Sequence, residues 1–106
     1  MRFLLKVTLP AEAVNKAAMD GSFAETVQSI LSEQKPEAAY FTELGGQRTA
    51  TLYVHLENES EIIKYAEPWW QAFGGAVEWH PAMKPEDLQK GGRYLEDAAN
   101  KYGRRR

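Results

Sequence analysis

The sequence predicts an α+β domain in the order β-α-β-β-α-β, built on one four-stranded antiparallel sheet and followed by a C-terminal helical extension. Three observations carry that expectation. Residues 49–56 (TATLYVHL) alternate polar and apolar side chains without a break. Two stretches, 11–34 and 60–73, repeat their apolar residues at helical spacing. Glycine or proline closes nearly every run.

The first strand is Phe3 to Thr8 (FLLKVT), a short β-rich run stopped by Pro10. Val14, Ala17 and Ala18, then Val27, Ile30 and Leu31, mark helix over 11–34. Asp20-Gly21-Ser22 in its middle predicts a kink or a division into two helices. Ser22 with Glu25 three residues on has the form of a capping box, and Pro36 ends the segment. EAAYFTEL (37–44) and GGQRTATLYVHLE (45–57) read as a hairpin turning at Gly45-Gly46. In the second of these strands Ala50, Leu52, Val54 and Leu56 share one face, and Thr49, Thr51, Tyr53 and His55 the other.

Asn58 or Ser60 is placed to cap a helix over about 60–73. Its stripe is Ile62, Ala66, Trp69 and Phe73, with Ile63 and Trp70 further round. Pro68 lacks a backbone donor, so a break or kink is expected near Glu67, and Gly74-Gly75 ends the helix. AVEWH (76–80) is the fourth strand, stopped by Pro81. Lys84-Pro85-Glu86-Asp87 opens a last helix, with proline at its favoured first position and acids at the N-terminal end of the dipole. Gly91-Gly92 interrupts it, and Tyr94 to Lys101 resumes it.

This order is the ferredoxin-like arrangement, which implies strands in the order 4-1-3-2 with the helices on one sheet face. The open face then needs a cover, and a second copy supplies one by closing two sheets into a dimeric α+β barrel. We expect one domain over 1–100 and a flexible basic tail over 101–106.

Composition narrows the functional classes. At 43% hydrophobic and 26% charged, the chain has the balance of an ordinary soluble globular domain. Cysteine is absent, which removes thiolate chemistry and disulfides and suits a reducing cytoplasm. No apolar run approaches the roughly 18 residues of a membrane span. The last six residues, KYGRRR, hold four of the 13 basic residues and no acid. The folded body is therefore acidic, and neither nucleic acid nor membrane is an expected partner.

The candidate site follows from register. If Phe3, Leu5 and Val7 face the helices, Leu4 and Lys6 face the open side with His55, Glu78 and His80. The two histidines then flank strand 1, roughly 10 Å apart across two strand spacings. Such a pair, with Glu78 beside it and Tyr53 near, is a candidate general acid and base near neutral pH. Their number and spacing match no metal signature, and no cofactor is expected. Lys6 and Tyr53 are candidate ligand contacts, with Trp70 or Trp79 at the rim. Trp69 reads as core. None of the glycine pairs has a phosphate-loop pattern, and neither Ser22 nor Ser60 has the context of a nucleophile.

PEAAYFTE (36–43), GQRTATLYVHL (46–56), AEPWWQAF (66–73) and HPAMKPEDL (80–88) resemble a family of small bacterial proteins in the dimeric α+β barrel superfamily. The resemblance spans most of residues 1–90 and is strongest over the Pro-x-Met-x-Pro-Glu-Asp-Leu stretch. It implies the ferredoxin-like fold and a homodimer. The family carries no established activity, while the wider superfamily includes muconolactone isomerase-like and antibiotic-biosynthesis-monooxygenase-like enzymes. It carries no catalytic residue onto this chain. Three expectations result: a homodimer binding a small, partly apolar molecule on the open sheet face; a cofactor-independent isomerase or monooxygenase using a histidine as base; or a structural or regulatory interaction module.

Overall fold

A computed structural model describes residues 1–104. The elements are β1 (Arg2–Thr8), α1 (Ala11–Met19), α2 (Phe23–Gln34), β2 (Ala38–Leu44), β3 (Gln47–His55), α3 (Glu61–Phe73), β4 (Ala76–Pro81), α4 (Pro85–Lys90) and α5 (Gly92–Tyr102). Every strand pairing is antiparallel. The sheet runs β2-β3-β1-β4, which counted from its other edge is β4-β1-β3-β2. The fold is α+β and consistent with a ferredoxin-like arrangement.

Alternation sets the two faces. Leu5 pairs with Leu52 on one side and Trp79 on the other, and Val7 pairs with Ala50 and Val77. This face is closed by α1, α2 and α3, and Leu5, Val7, Ala50 and Leu52 are fully buried beneath them. Trp69 of α3 is the largest of the fully buried side chains, and it stacks at a tilt on Phe73. Gln34, at the end of α2, is a buried polar residue with both ends of its amide used. Its Nε2 donates to the Tyr65 carbonyl at 2.9 Å, and its Oε1 accepts from Trp69 Nε1 at 3.3 Å. The two helices are therefore tied by hydrogen bonds where the sequence suggests only apolar packing.

Local chemistry departs from expectation at two helix starts and inside one helix. The 11–34 segment divides into two helices at Gly21, whose φ is +81°. The Ser22 hydroxyl makes no capping bond; instead the Ser22 N–H donates to Asp20 Oδ1 at 2.9 Å, so the turn is an Asx turn and not a capping box. At α3, Ser60 likewise makes no side-chain cap. The loop is held by Glu61, whose Oε1 accepts from the backbone N–H of Glu57 and of Asn58, and by Asn58 Oδ1, which accepts from the Ser60 N–H. The third departure is Pro68, which lies inside one continuous α3 and does not end it. Proline there forgoes one backbone bond, and the burial of Ala66, Trp69 and Phe73 on the same helix outweighs that loss.

The hairpin turn needs its glycines. Gly45 and Gly46 have φ of +61° and +78°, the pair of positive angles of a type I′ turn. Gly46 N–H also donates to Glu43 Oε2 at 2.9 Å. Gly75 is required for a different reason: a Cβ there would lie 2.8 Å from the Thr8 carbonyl oxygen, so only glycine lets the chain enter β4 this close to β1.

The C-terminal extension lies apart from this core. The chain is 62 Å long in its greatest dimension, with a radius of gyration of 18.0 Å, where a compact domain of this length has about 13 Å. Of the basic tail expected over 101–106, Lys101 and Tyr102 are the last turn of α5, and Arg105 and Arg106 lie outside the described residues.

Candidate functional site

The open sheet face is a grid of side chains set by the register. One row reads Ala38, Tyr53, Leu4, His80 from edge to edge. The next reads Tyr40, Thr51, Lys6, Glu78, and the third Thr42, Thr49, Thr8, Ala76. Apolar and aromatic groups thus hold one half of the face, and a charged group holds the β4 side.

That charged group is compact. Lys6 Nζ lies 3.4 Å from Glu78 Oε2, and His80 Nε2 lies 3.4 Å from Glu78 Oε1. The carboxylate is therefore bridged by two nitrogen groups, one on each oxygen. The hydrogen bond from Lys6 is the larger cause, and with His80 it holds the Glu78 carboxyl below its ordinary value of 4.5. All three side chains are partly exposed, so the pairing is solvent-screened and its energy small. Chemically, the trio is a carboxylate-oriented imidazole beside a cation. It suits a ligand with an acidic or hydrogen-bonding end, and Tyr53 and Leu4 in the adjoining row suit an apolar remainder.

His55 belongs to a different setting. Its partner on β1 is Arg2, one row beyond Leu4, which is the partner of His80. The histidines share the open side but are offset diagonally, about 12 Å apart between backbones, and do not face each other across strand 1. The His55 ring lies 3.3 Å from the Met1 amino group through Nε2 and 3.6 Å from Glu57 Oε1 through Nδ1. It also borders a hollow of about 700 Å³ at the sheet end, between Arg2 and Lys84, the residue before α4, with Asp87 and Lys90 of α4. In that neighbourhood Arg2 grips Glu37 with two bonds, Nε to Oε1 at 2.5 Å and Nη2 to Oε2 at 3.2 Å, which lowers the Glu37 pKa. Neither Arg2 nor Glu37 stood out in sequence. The only signal available was that Arg2 shares the parity of Leu4 and Lys6.

The tryptophans do not join the open face. Trp79 pairs with Leu5 and so points under the helices, edge-on to Phe3 at 5.5 Å and to Tyr65 at 6.5 Å. Its indole Nε1 is buried without a hydrogen-bond partner. Trp70 is 42% exposed on α3, the layer on the other side of the sheet. Among the described residues no group of three histidine, aspartate or glutamate side chains is placed to hold a metal ion, and no helix is long and apolar enough to cross a membrane.

No protein-family model matches this chain, and no curated protein does. The class is therefore set by its own geometry: a small α+β domain with one sheet face covered and one bearing an ordered polar cluster beside an apolar patch.

Proposed function

We propose that the chain is a small-molecule-binding homodimer. Two copies bring their open sheet faces together as a dimeric α+β barrel, and a small, partly apolar molecule occupies the space between them. One observation carries the reading: the face left open by the helices combines Leu4 and Tyr53 in one row with the Lys6–Glu78–His80 cluster beside it. An apolar pair set beside a paired lysine, carboxylate and imidazole matches a ligand with an apolar body and a polar end. The bound molecule presents its polar end to Lys6 and His80 and its apolar body to Leu4 and Tyr53. The superfamily resemblance points the same way.

The test has two parts. Sedimentation at micromolar concentration gives twice the 12.0 kDa chain mass. Amide NMR spectra, titrated with a panel of small phenols and lactones, shift at Leu4, Lys6, Tyr53, Glu78 and His80. A monomer in the first measurement, or a panel that moves no open-face amide in the second, refutes the proposal.

The contact of His80 with Glu78 favours a second reading, in which His80 acts as a general base oriented by the carboxylate. Turnover of any binding member of the panel, lost in His80→Ala and retained in His55→Ala, distinguishes an enzyme from a carrier.

A further inference from the structure

The two edges of the sheet are not alike. β4 is short, ends at Pro81 and carries Glu78, features that discourage a further strand. β2 is longer and lacks such guards. It pairs with β3 without a bulge and holds neither lysine nor proline. Among the described residues β3 is its only neighbour, and Tyr40, Phe41 and Leu44 are 63%, 50% and 45% exposed. The two-residue turn fixes which backbone groups are free. Across a type I′ turn Leu44 and Gln47 form a hydrogen-bonded pair, and in alternation so do Thr42 with Thr49 and Tyr40 with Thr51. The N–H and C=O groups of Ala39, Phe41 and Glu43 therefore point outwards. Among the described residues no backbone group meets them.

Above this edge lies a groove of about 340 Å³ between β2 and α2, lined by Phe23, Ala24, Val27, Gln28, Leu31 and Phe41. Ala24, Gln28 and Leu31 recur at i, i+4 and i+7, one stripe along α2. We propose that β2 is a self-pairing edge. The β2 strand of a second copy adds antiparallel to it, and the two α2 helices pack side by side above the joint.

Three arguments select a second copy. The first is the backbone. Outward donors and acceptors in a row take an extended strand, and here they are symmetric about Phe41. A two-fold axis at that residue pairs Phe41 with itself and Ala39 with the partner's Glu43, about six bonds in all. The second is charge. Glu43 is the only charged residue of β2 and falls opposite the partner's Ala39, so no like charges meet. The third is that the same axis covers the helix stripe. Two helices over four strands stand about two strand spacings apart, and α2 shares its groove with Phe41 at the edge. Its copy across the joint therefore stands about 10 Å away, the separation of packed helices. Running antiparallel about Gln28, the stripe sets Ala24 against the partner's Leu31, small against large. The Gln28 amides, which carry both a donor and an acceptor, meet on the axis. One operation thus closes both surfaces and leaves no free β2 edge, so growth along the sheet stops at two copies. The open faces stay on one side of the joined sheet, so this contact neither requires nor prevents the face-to-face pairing proposed above. It is smaller than the ~800 Å² per partner of a stable interface and forms at higher concentration.

The absence of native cysteine makes the test direct, because Phe41→Cys then carries a single thiol. Hydrogen-bonded antiparallel partners have Cα atoms about 5.5 Å apart, within the reach of a disulfide. Oxidised at millimolar concentration, Phe41→Cys should give a species of twice the chain mass at least ten times faster than Ser29→Cys, whose thiol lies on the side of α2 turned to Pro68. Equal rates overturn the proposal. A face-to-face pair alone keeps the two residues 41 under separate helical layers and gives no such crosslink, so the result does not depend on that reading. Phe41→Cys/Gln28→Lys, which opposes like charges across the joint, should react at least tenfold more slowly than Phe41→Cys; an unchanged rate overturns the packed helices and with them the proposal. The wild-type chain supplies a measurement free of substitutions. Hydrogen exchange at the amides of Ala39, Phe41 and Glu43 should slow at least tenfold from micromolar to millimolar chain. Exchange equally fast at both overturns the second copy and leaves an extended segment of another protein as the occupant of the edge.

Discussion

The two faces of the sheet are made by the same four strands and differ in almost every physical respect. On the covered face Leu5, Val7, Ala50 and Leu52 are sealed by three helices, and their contribution is apolar burial at roughly 25 cal/mol per Å². On the open face their immediate chain neighbours Leu4, Lys6, Thr51 and Tyr53 are only partly buried, and the charged groups pair in solvent. The contrast teaches that stability and recognition are separated here by one residue of register. A slip of one position would exchange the two sets, so the pairing that protects the core also presents the cluster.

The largest expected effect probes the covered face. Trp69→Ala removes a fully buried indole together with its contact to Phe73 and its bond to Gln34. It should cost about 3–5 kcal/mol in chemical denaturation, enough to unfold much of the population of a small domain. An effect under ~1 kcal/mol would mean that α3 is not the principal cover of the sheet. Next comes Gln34→Leu, which fits the apolar surroundings but leaves Trp69 Nε1 without an acceptor in a buried position. A loss of about 1–3 kcal/mol is expected. A neutral or stabilising result would show that the α2–α3 tie is packing alone.

Sequence revealed one face far better than the other. Period-2 alternation in β3 and the stripe of α3 gave the strands, the helices and the core, because burial leaves a periodic trace. The open-face membership of Lys6, Tyr53, Glu78 and His80 followed from the same parity. What escaped was anything set by pairing between distant segments. The diagonal offset of His55 from His80 depends on where β3 and β4 each begin against β1, and no local pattern encodes that. The side of Trp79 is likewise set by its pairing with Leu5, because a slip of one residue would exchange it with Glu78 and His80. Gln34 was invisible because a single glutamine at a helix end carries no period. Ser22 and Ser60 had the right spacing for caps, but Asp20 takes the Ser22 N–H that Glu25 would accept in a capping box, and before α3 Glu61 and Asn58 bind the N–H groups of Glu57, Asn58 and Ser60 with no serine cap formed.

The smallest effect probes the open face, and its sign can be fixed in advance. The Glu78 carboxyl is held below 4.5 by Lys6 first and His80 second. A carboxylate whose folded pKa is depressed contributes stability above its unfolded pKa, and that contribution is lost as pH falls through the folded value. Lys6→Met removes the larger cause and leaves the His80 contact. The Glu78 titration midpoint, followed by side-chain carboxyl NMR, should therefore rise towards 4.5 without fully reaching it, and His80→Gln should raise it less. Denaturation midpoints at neutral pH should barely change, because these groups are solvent-screened. The two quantities separate what the cluster is for. A midpoint that moves with no more than the small linked loss of stability marks a cluster held for its charge arrangement, as a binding face requires. A midpoint that fails to move when Lys6 is lost would mean that the three side chains do not act together, and the open face would then be a solvated surface without a site.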